Sequence, residues 1–245
     1  MKRLLIALML LTSPAQAAIS VVHHNAVQGN AASPTLAFAT NPTAGNFLGI
    51  MVTWGNGLSS HVIINSVTSS IGGDTVQCRA EYADTTVAGT SGRVCYVENT
   101  VGGACTITVN LSSAVDYGIQ LVEVSGLPTS GSFDVDIPGA SSSATTLTSG
   151  TYSTATASEI ALVITGDISN CQTYTQGTGF TLLDTSTCTN LGQGAEYQIY
   201  SSTQTSVTAV ITYNNSSTTG IIRGAVFKAT GGSTTPANQF PRVIS

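Results

Sequence analysis

The stretch Tyr117-Gly118-Ile119-Gln120-Leu121-Val122-Glu123-Val124-Ser125-Gly126-Leu127 decides the fold class. Ile119, Leu121, Val122 and Val124 make a β-prone apolar run that only Gln120 and Glu123 interrupt. The run stops at Ser125-Gly126, and Pro128 bars a simple continuation of the strand. A segment this apolar predicts a central strand of a sandwich, with its two polar residues marking a wetter edge. The hairpin-rich half before it and the serine- and threonine-rich half after it then form the two sides of one core.

Outward from this strand the same alternation recurs. Before it, apolar runs occupy residues 19–27, 35–40, 47–54, 61–68, 75–82, 93–99 and 105–111. After it they occupy 133–137, 159–165, 180–184, 195–200, 206–213 and 221–229, with 151–156 as an edge strand. Gly, Pro and Asn clusters separate them at the spacing of about 8–12 residues that marks sandwiches and barrels. Helical periodicity is never sustained. The expectation is an all-β antiparallel sandwich of jelly-roll type, with roughly a dozen strands. No exact internal repeat is visible, and no composition shift divides the body.

The first residues read as an export signal. Lys2-Arg3 precedes an apolar run from Leu4 to Leu11, and Ala15-Gln16-Ala17 forms an A-x-A cleavage site. The organisation expected is therefore a signal peptide at 1–17, a sandwich domain at 18–230, and a linker with a C-terminal tail at 231–245. The mature length, 245 − 17 = 228 residues, suits one large sandwich or two small ones. The run of 4–11 is shorter than the roughly 20 residues of a membrane span, and no later stretch is long enough. The location expected is secreted: periplasm, cell surface or medium.

Loss of 1–17 leaves 5 bases against 12 acids, a formal charge of 5 − 12 = −7. Five scattered bases make no basic stripe, so nucleic acid is not expected as a partner. Charged residues make up only 8% of the chain, so its solubility rests on Ser, Thr and Asn. Five cysteines, Cys78, Cys95, Cys105, Cys171 and Cys188, fall in the mature part without a C-x-x-C pair. In an oxidising compartment they read as structural disulfides. Cys78 and Cys95 lie opposite each other if their strands pair, and Cys171 and Cys188 flank one loop and strand. Cys105 is then the odd thiol, buried beside Ile107.

Nucleophilic hydrolysis requires a serine or cysteine beside a histidine that an acid orients. The histidines are His23, His24 and His61, and no G-x-S-x-G elbow is present. His23 and His24, adjacent on a strand, face opposite ways and are poorly placed to chelate one metal. Twelve scattered acids single out no glycosidase pair. Asp134 and Asp136 have the spacing to share a strand face and, with Asp116, are the calcium candidates. No D-x-D-x-D-G loop accompanies them, and a solvated strand face is the alternative. For stacking on sugar rings the candidates are Trp54, Tyr82, Tyr174 and Tyr200, with a core or rim position as the rival for Trp54. No phosphate loop, dinucleotide fingerprint or heptad occurs, so no cofactor is expected.

The tail carries Phe240, Val243 and Ile244 beyond the tether Gly231-Gly232-Ser233-Thr234-Thr235-Pro236. A short extended segment of this kind can add to an open sheet edge of another copy, and a loose terminus is the alternative.

A resemblance rests on several pieces in order. They are Pro42-Thr43-Ala44-Gly45-Asn46-Phe47-Leu48, Cys95-Tyr96-Val97-Glu98-Asn99 with Gly102-Gly103, and Leu121-Val122-Glu123-Val124-Ser125-Gly126-Leu127. Gly177-Thr178-Gly179-Phe180 and Arg223-Gly224-Ala225-Val226-Phe227 follow. Over about residues 19–229 the chain resembles a β-sandwich module that recurs in large secreted bacterial surface proteins and in some phage structural proteins. The resemblance implies a structural or recognition role and transfers no catalytic residues. The cysteines depart from it, as does an end soon after one module.

The function expected is that of a secreted, non-catalytic structural or adhesive subunit on a cell surface, an extracellular filament or a virion. Its partners would be other copies of itself or a surface or virion protein. The alternative is a lectin-like carbohydrate-binding module that takes glycans. A secreted hydrolase ranks behind both, because no mechanism-bearing motif was found.

Overall fold

The computed structural model describes residues 18–55, 61–84, 89–167, 173–185, 191–214 and 219–229. They form 17 strands, all paired antiparallel, and no helix among the described residues. The first half holds β1 (Ser20–Ala31), β2 (Thr35–Ala37), β3 (Phe47–Gly55), β4 (Ile64–Ser69), β5 (Gln77–Cys78), β6 (Tyr82–Asp84), β7 (Thr90–Val97), β8 (Thr106–Leu111) and β9 (Val115–Ser125). The second holds β10 (Phe133–Ser142), β11 (Thr146–Thr148), β12 (Glu159–Asp167), β13 (Tyr174–Thr175), β14 (Thr181–Thr185), β15 (Gly192–Tyr200), β16 (Val210–Tyr213) and β17 (Gly220–Lys228).

Four sheets stack as outer, inner, inner and outer layers. The first outer sheet runs β2-β8-β4, and the first inner sheet runs β1-β9-β3-β7-β5 with β6 also on β7. The second inner sheet runs β10-β17-β12-β15-β14, and the second outer sheet runs β11-β16-β13. Sequence pattern sorts strands into these layers. In β8, Ile107, Val109 and Leu111 are buried and alternate with half-buried residues, as in a strand with one wet face. In β3, β12 and β17 nearly every residue is buried, because sheets cover both faces. Each gap between layers is one apolar core. Leu48, Ile50 and Val52 pack toward Ile107 and Val109; Phe47, Met51 and Val122 toward Leu162, Ile164 and Phe227; Ala161 and Val163 toward Leu147 and Ile211.

The strand that opens the sequence reading is β9, flanked by β1 and β3. Its wetter edge is overturned, since Gln120 and Glu123 are both fully buried. The Gln120 amide donates to the Asn25 carbonyl and to Asp184, each at 3.1 Å. Glu123 accepts the Thr43 N–H at 2.9 Å and the Asn46 amide. A buried polar group persists only with such partners. The 151–156 edge strand is likewise corrected: only one bridge, Tyr152 to Val207, forms there.

The strand orders of the two halves coincide when β1 is matched to β10, β3 to β12, β7 to β15 and β9 to β17. A structural repeat is therefore present, although no exact repeat is visible in the sequence. It is legible at a constant offset of 146 − 35 = 111 residues, where Thr35, Leu36, Thr43, Ala44, Val52 and Gly55 meet Thr146, Leu147, Thr154, Ala155, Val163 and Gly166. Leu36 pairs with Ile107 and Leu147 with Ile211 at equivalent places in the two outer sheets.

Cys78 stands opposite Cys95 across β5 and β7, and the two are disulfide-bonded. Cys105 is free and buried, its sulfur 3.6 Å from Ser69 Oγ, and burial pushes its thiol pKa up. Cys171, Cys188 and the tail lie outside the described residues. The Cys78–Cys95 bridge closes a separation of 17 residues. Its removal by Cys78→Ala is expected to cost about 3 kcal/mol in urea unfolding. A cost below about 1 kcal/mol would mean that it adds no constraint to the unfolded chain.

Candidate functional site

The two inner sheets face each other in opposite order, so their edges meet at two seams related by the repeat. At one seam β5 and β6 meet β10; at the other β14 meets β1. The first is filled. The Arg79 guanidinium lies 3.5 Å from the centre of the Phe133 ring and donates to both Asp136 oxygens, at 3.2 and 3.0 Å. Arg223 reaches the same carboxylate at 3.3 Å, and Arg93 donates to the Arg79 carbonyl at 2.7 Å. Nearby, the Tyr82 ring lies against Gly139, where a Cβ would approach it to 2.2 Å. Glu98 ties the halves again by accepting the Ser132 N–H and hydroxyl, at 2.6 and 2.8 Å. Burial alone would raise the Glu98 pKa, but these bonds outweigh it and hold the group below its ordinary value.

Asp136 thus neutralises two guanidinium groups, one of them on a nearly buried arginine. Asp136→Asn is expected to cost about 2 kcal/mol, less than a fully buried pair because the carboxylate is 32% exposed. Chemical denaturation measures it. An unchanged midpoint would mean that the two arginines find water instead.

The second seam is open. A groove of about 440 Å³ runs between β1 and β14, lined by Val21, Val22, His23, His24, Thr181, Leu182 and Tyr197. A register shift between Val21 and His23 disturbs the edge of β1 here. His23 and His24 take separate acids. His23 Nδ1 lies 3.1 Å from Glu123, and His24 Nδ1 lies 2.7 Å from Asp184. Asp184 also accepts from Gln120, so a carboxylate anchored in the core orients His24, one of the two histidines that line the groove.

The other sequence candidates are dispersed. Trp54 is fully buried and donates its indole N–H to the Val62 carbonyl at 2.7 Å, so it is a core residue and not a sugar platform. Tyr174 and Tyr200 are corrected in the same way, since both are buried between the second inner and outer sheets. Tyr174 donates its hydroxyl to Asp167, and Tyr200 pairs with Tyr152 at 2.6 Å. Tyr82 is half-buried in the filled seam, its hydroxyl 3.4 Å from Ser141. Asp134 pairs with Lys228 at 3.5 Å and accepts the Ala155 N–H, while Asp116 accepts from Asn30 at 2.8 Å. The shared face predicted for Asp134 and Asp136 is lost because the register of β10 slips between Phe133 and Val135. No group of three or more metal-binding side chains gathers among the described residues. His61 pairs with Glu81 at 2.6 Å.

Sequence reasoning missed a buried acid, Glu196, whose carboxylate accepts the Gly177 N–H at 2.8 Å. Burial pushes its pKa up to about 8. Comparison with family models, curated proteins and solved structures finds no match for this chain.

Proposed function

We propose that the chain is a non-catalytic, secreted structural or adhesive subunit that works by joining copies of itself. The observation that carries this reading is where the acids go. All twelve lie among the described residues. Asp74, Glu98, Asp116, Glu123, Asp134 and Glu159 fasten loops and strand edges, and Asp136 fastens the filled seam. Each histidine is held by one carboxylate, away from any arranged hydroxyl or thiol nucleophile in the hydrogen bonds described. Carboxylates committed to structure in this way suit a rigid brick better than an acid–base site. The leader-like residues 1–17 and the Cys78–Cys95 disulfide support an oxidising location. No described helix is long and apolar enough to cross a membrane.

Deleting residues 231–245 tests the reading. The shortened chain is expected to keep its melting temperature and to lose self-association in sedimentation. Assembly that survives the deletion would remove the tail from the account.

A further inference from the structure

The two seams are the same place in two copies of one sandwich, and the strand registers fix which residues correspond. Leu48 and Glu159 are 111 residues apart and equivalent in the repeat. Leu48 pairs with Val97 and Glu159 with Tyr200, so Val94 corresponds to Tyr197. Arg79 donates its backbone N–H to Val94, and Thr181 pairs with Tyr197. Thr181 therefore stands where Arg79 stands. Glu123 pairs with Leu48 and Lys228 with Glu159, which makes Val122 the counterpart of Phe227. Val122 pairs with His24 and Phe227 with Phe133, so His24 is the counterpart of Phe133.

At the filled seam a guanidinium lies on an aromatic ring and is held by a carboxylate. At the open seam a short threonine and the His24 ring line a groove in its place. The means of holding a guanidinium remain: Asp184 is 38% exposed beside His24, and Tyr197 offers a second ring. Among the described residues both flanking strands, β1 and β14, end their sheets and leave an edge for an extended segment. Val22 and Ile199 are exposed apolar residues on β1 and β15, the strand beside β14.

We propose that this groove receives residues 240–244 of a second copy, with Arg242 in the place that Arg79 occupies at the other seam. Of the five arginines, Arg3 belongs to the leader-like segment, and Arg79, Arg93 and Arg223 belong to the filled seam. That leaves Arg242, set between Phe240 and the apolar pair Val243-Ile244. The inference rests on the subunit reading above, which requires the tail to be offered to a neighbour.

The experiment is sedimentation of the chain beginning at Ala18. Thr181→Arg is expected to close the groove from within, as Arg79 closes its seam, and Arg242→Glu to spoil the incoming segment. Each should weaken self-association about tenfold or more, the loss of one charge-assisted pair. A Thr181→Arg chain mixed with a chain ending at residue 230 should form one-to-one complexes, because one keeps the tail and the other the groove. Parent-like association in both variants, or a mixture with no complex, would overturn the groove and leave the subunit reading intact. A parent chain that stays monomeric at every concentration would overturn both. Arg242→Glu, in the tail and not in the core, keeps the test valid if Thr181→Arg misfolds.

Discussion

At pH 8 and above, a chain carrying Glu196→Gln is expected to unfold at a clearly higher temperature than its parent, and the gap should close toward pH 4.5. Glu196 is fully buried beside the second outer sheet, and burial raises its carboxyl from 4.5 to about 8, against a smaller opposing pull from the Gly177 N–H. Between those two values the unfolded chain has released this proton while the native chain still holds it. The native state then binds more protons, so stability falls as pH rises. The whole shift is worth on the order of 5 kcal/mol, and glutamine, neutral at every pH, removes it. Glutamine also retains an oxygen for the Gly177 N–H. Burial raises Glu159 as well, so the variant keeps a smaller slope of the same sign. Parallel pH profiles for variant and parent would show that Glu196 is ionised in the native state.

Phe227→Ala is expected to cost about 3–5 kcal/mol, through lost burial and the cavity left behind. The Phe227 ring is fully buried, 4.6 Å from Phe47, 4.9 Å from Tyr96 and 6.3 Å from Phe133. Two of those rings belong to the first half, so the loss should not stay in the second. Trp54 is the only tryptophan and sits in the first half's outer core. Its fluorescence midpoint is therefore expected to fall with that of the whole chain. A Trp54 transition unmoved by Phe227→Ala would mean that the halves unfold independently.

The strands that sequence reveals are those with the most to bury. β3, β9, β12 and β17 are nearly continuous apolar runs because they form the inner sheets. β11 and β13 were missed for the opposite reason: each buries one residue, Leu147 or Tyr174, in an otherwise polar segment. Polar residues misled where they sat on inner strands. Gln120 and Glu123 read as marks of a wetter edge, yet both lie on β9, whose two faces are covered by sheets and whose two sides are paired. The filled seam was invisible because Arg79 and Asp136 lie 57 residues apart and meet only through the packing of two sheets. The open seam was hidden in the repeat, whose 111-residue offset becomes visible once Leu36 and Leu147 are known to occupy the same place.

Electron microscopy of the purified chain from Ala18 onward bears most directly on the claim that this protein is a subunit. Filaments, sheets or shells built from many copies, absent when residues 231–245 are removed, are the predicted result. Isolated particles the size of one chain, unchanged by concentration or by that deletion, would contradict it.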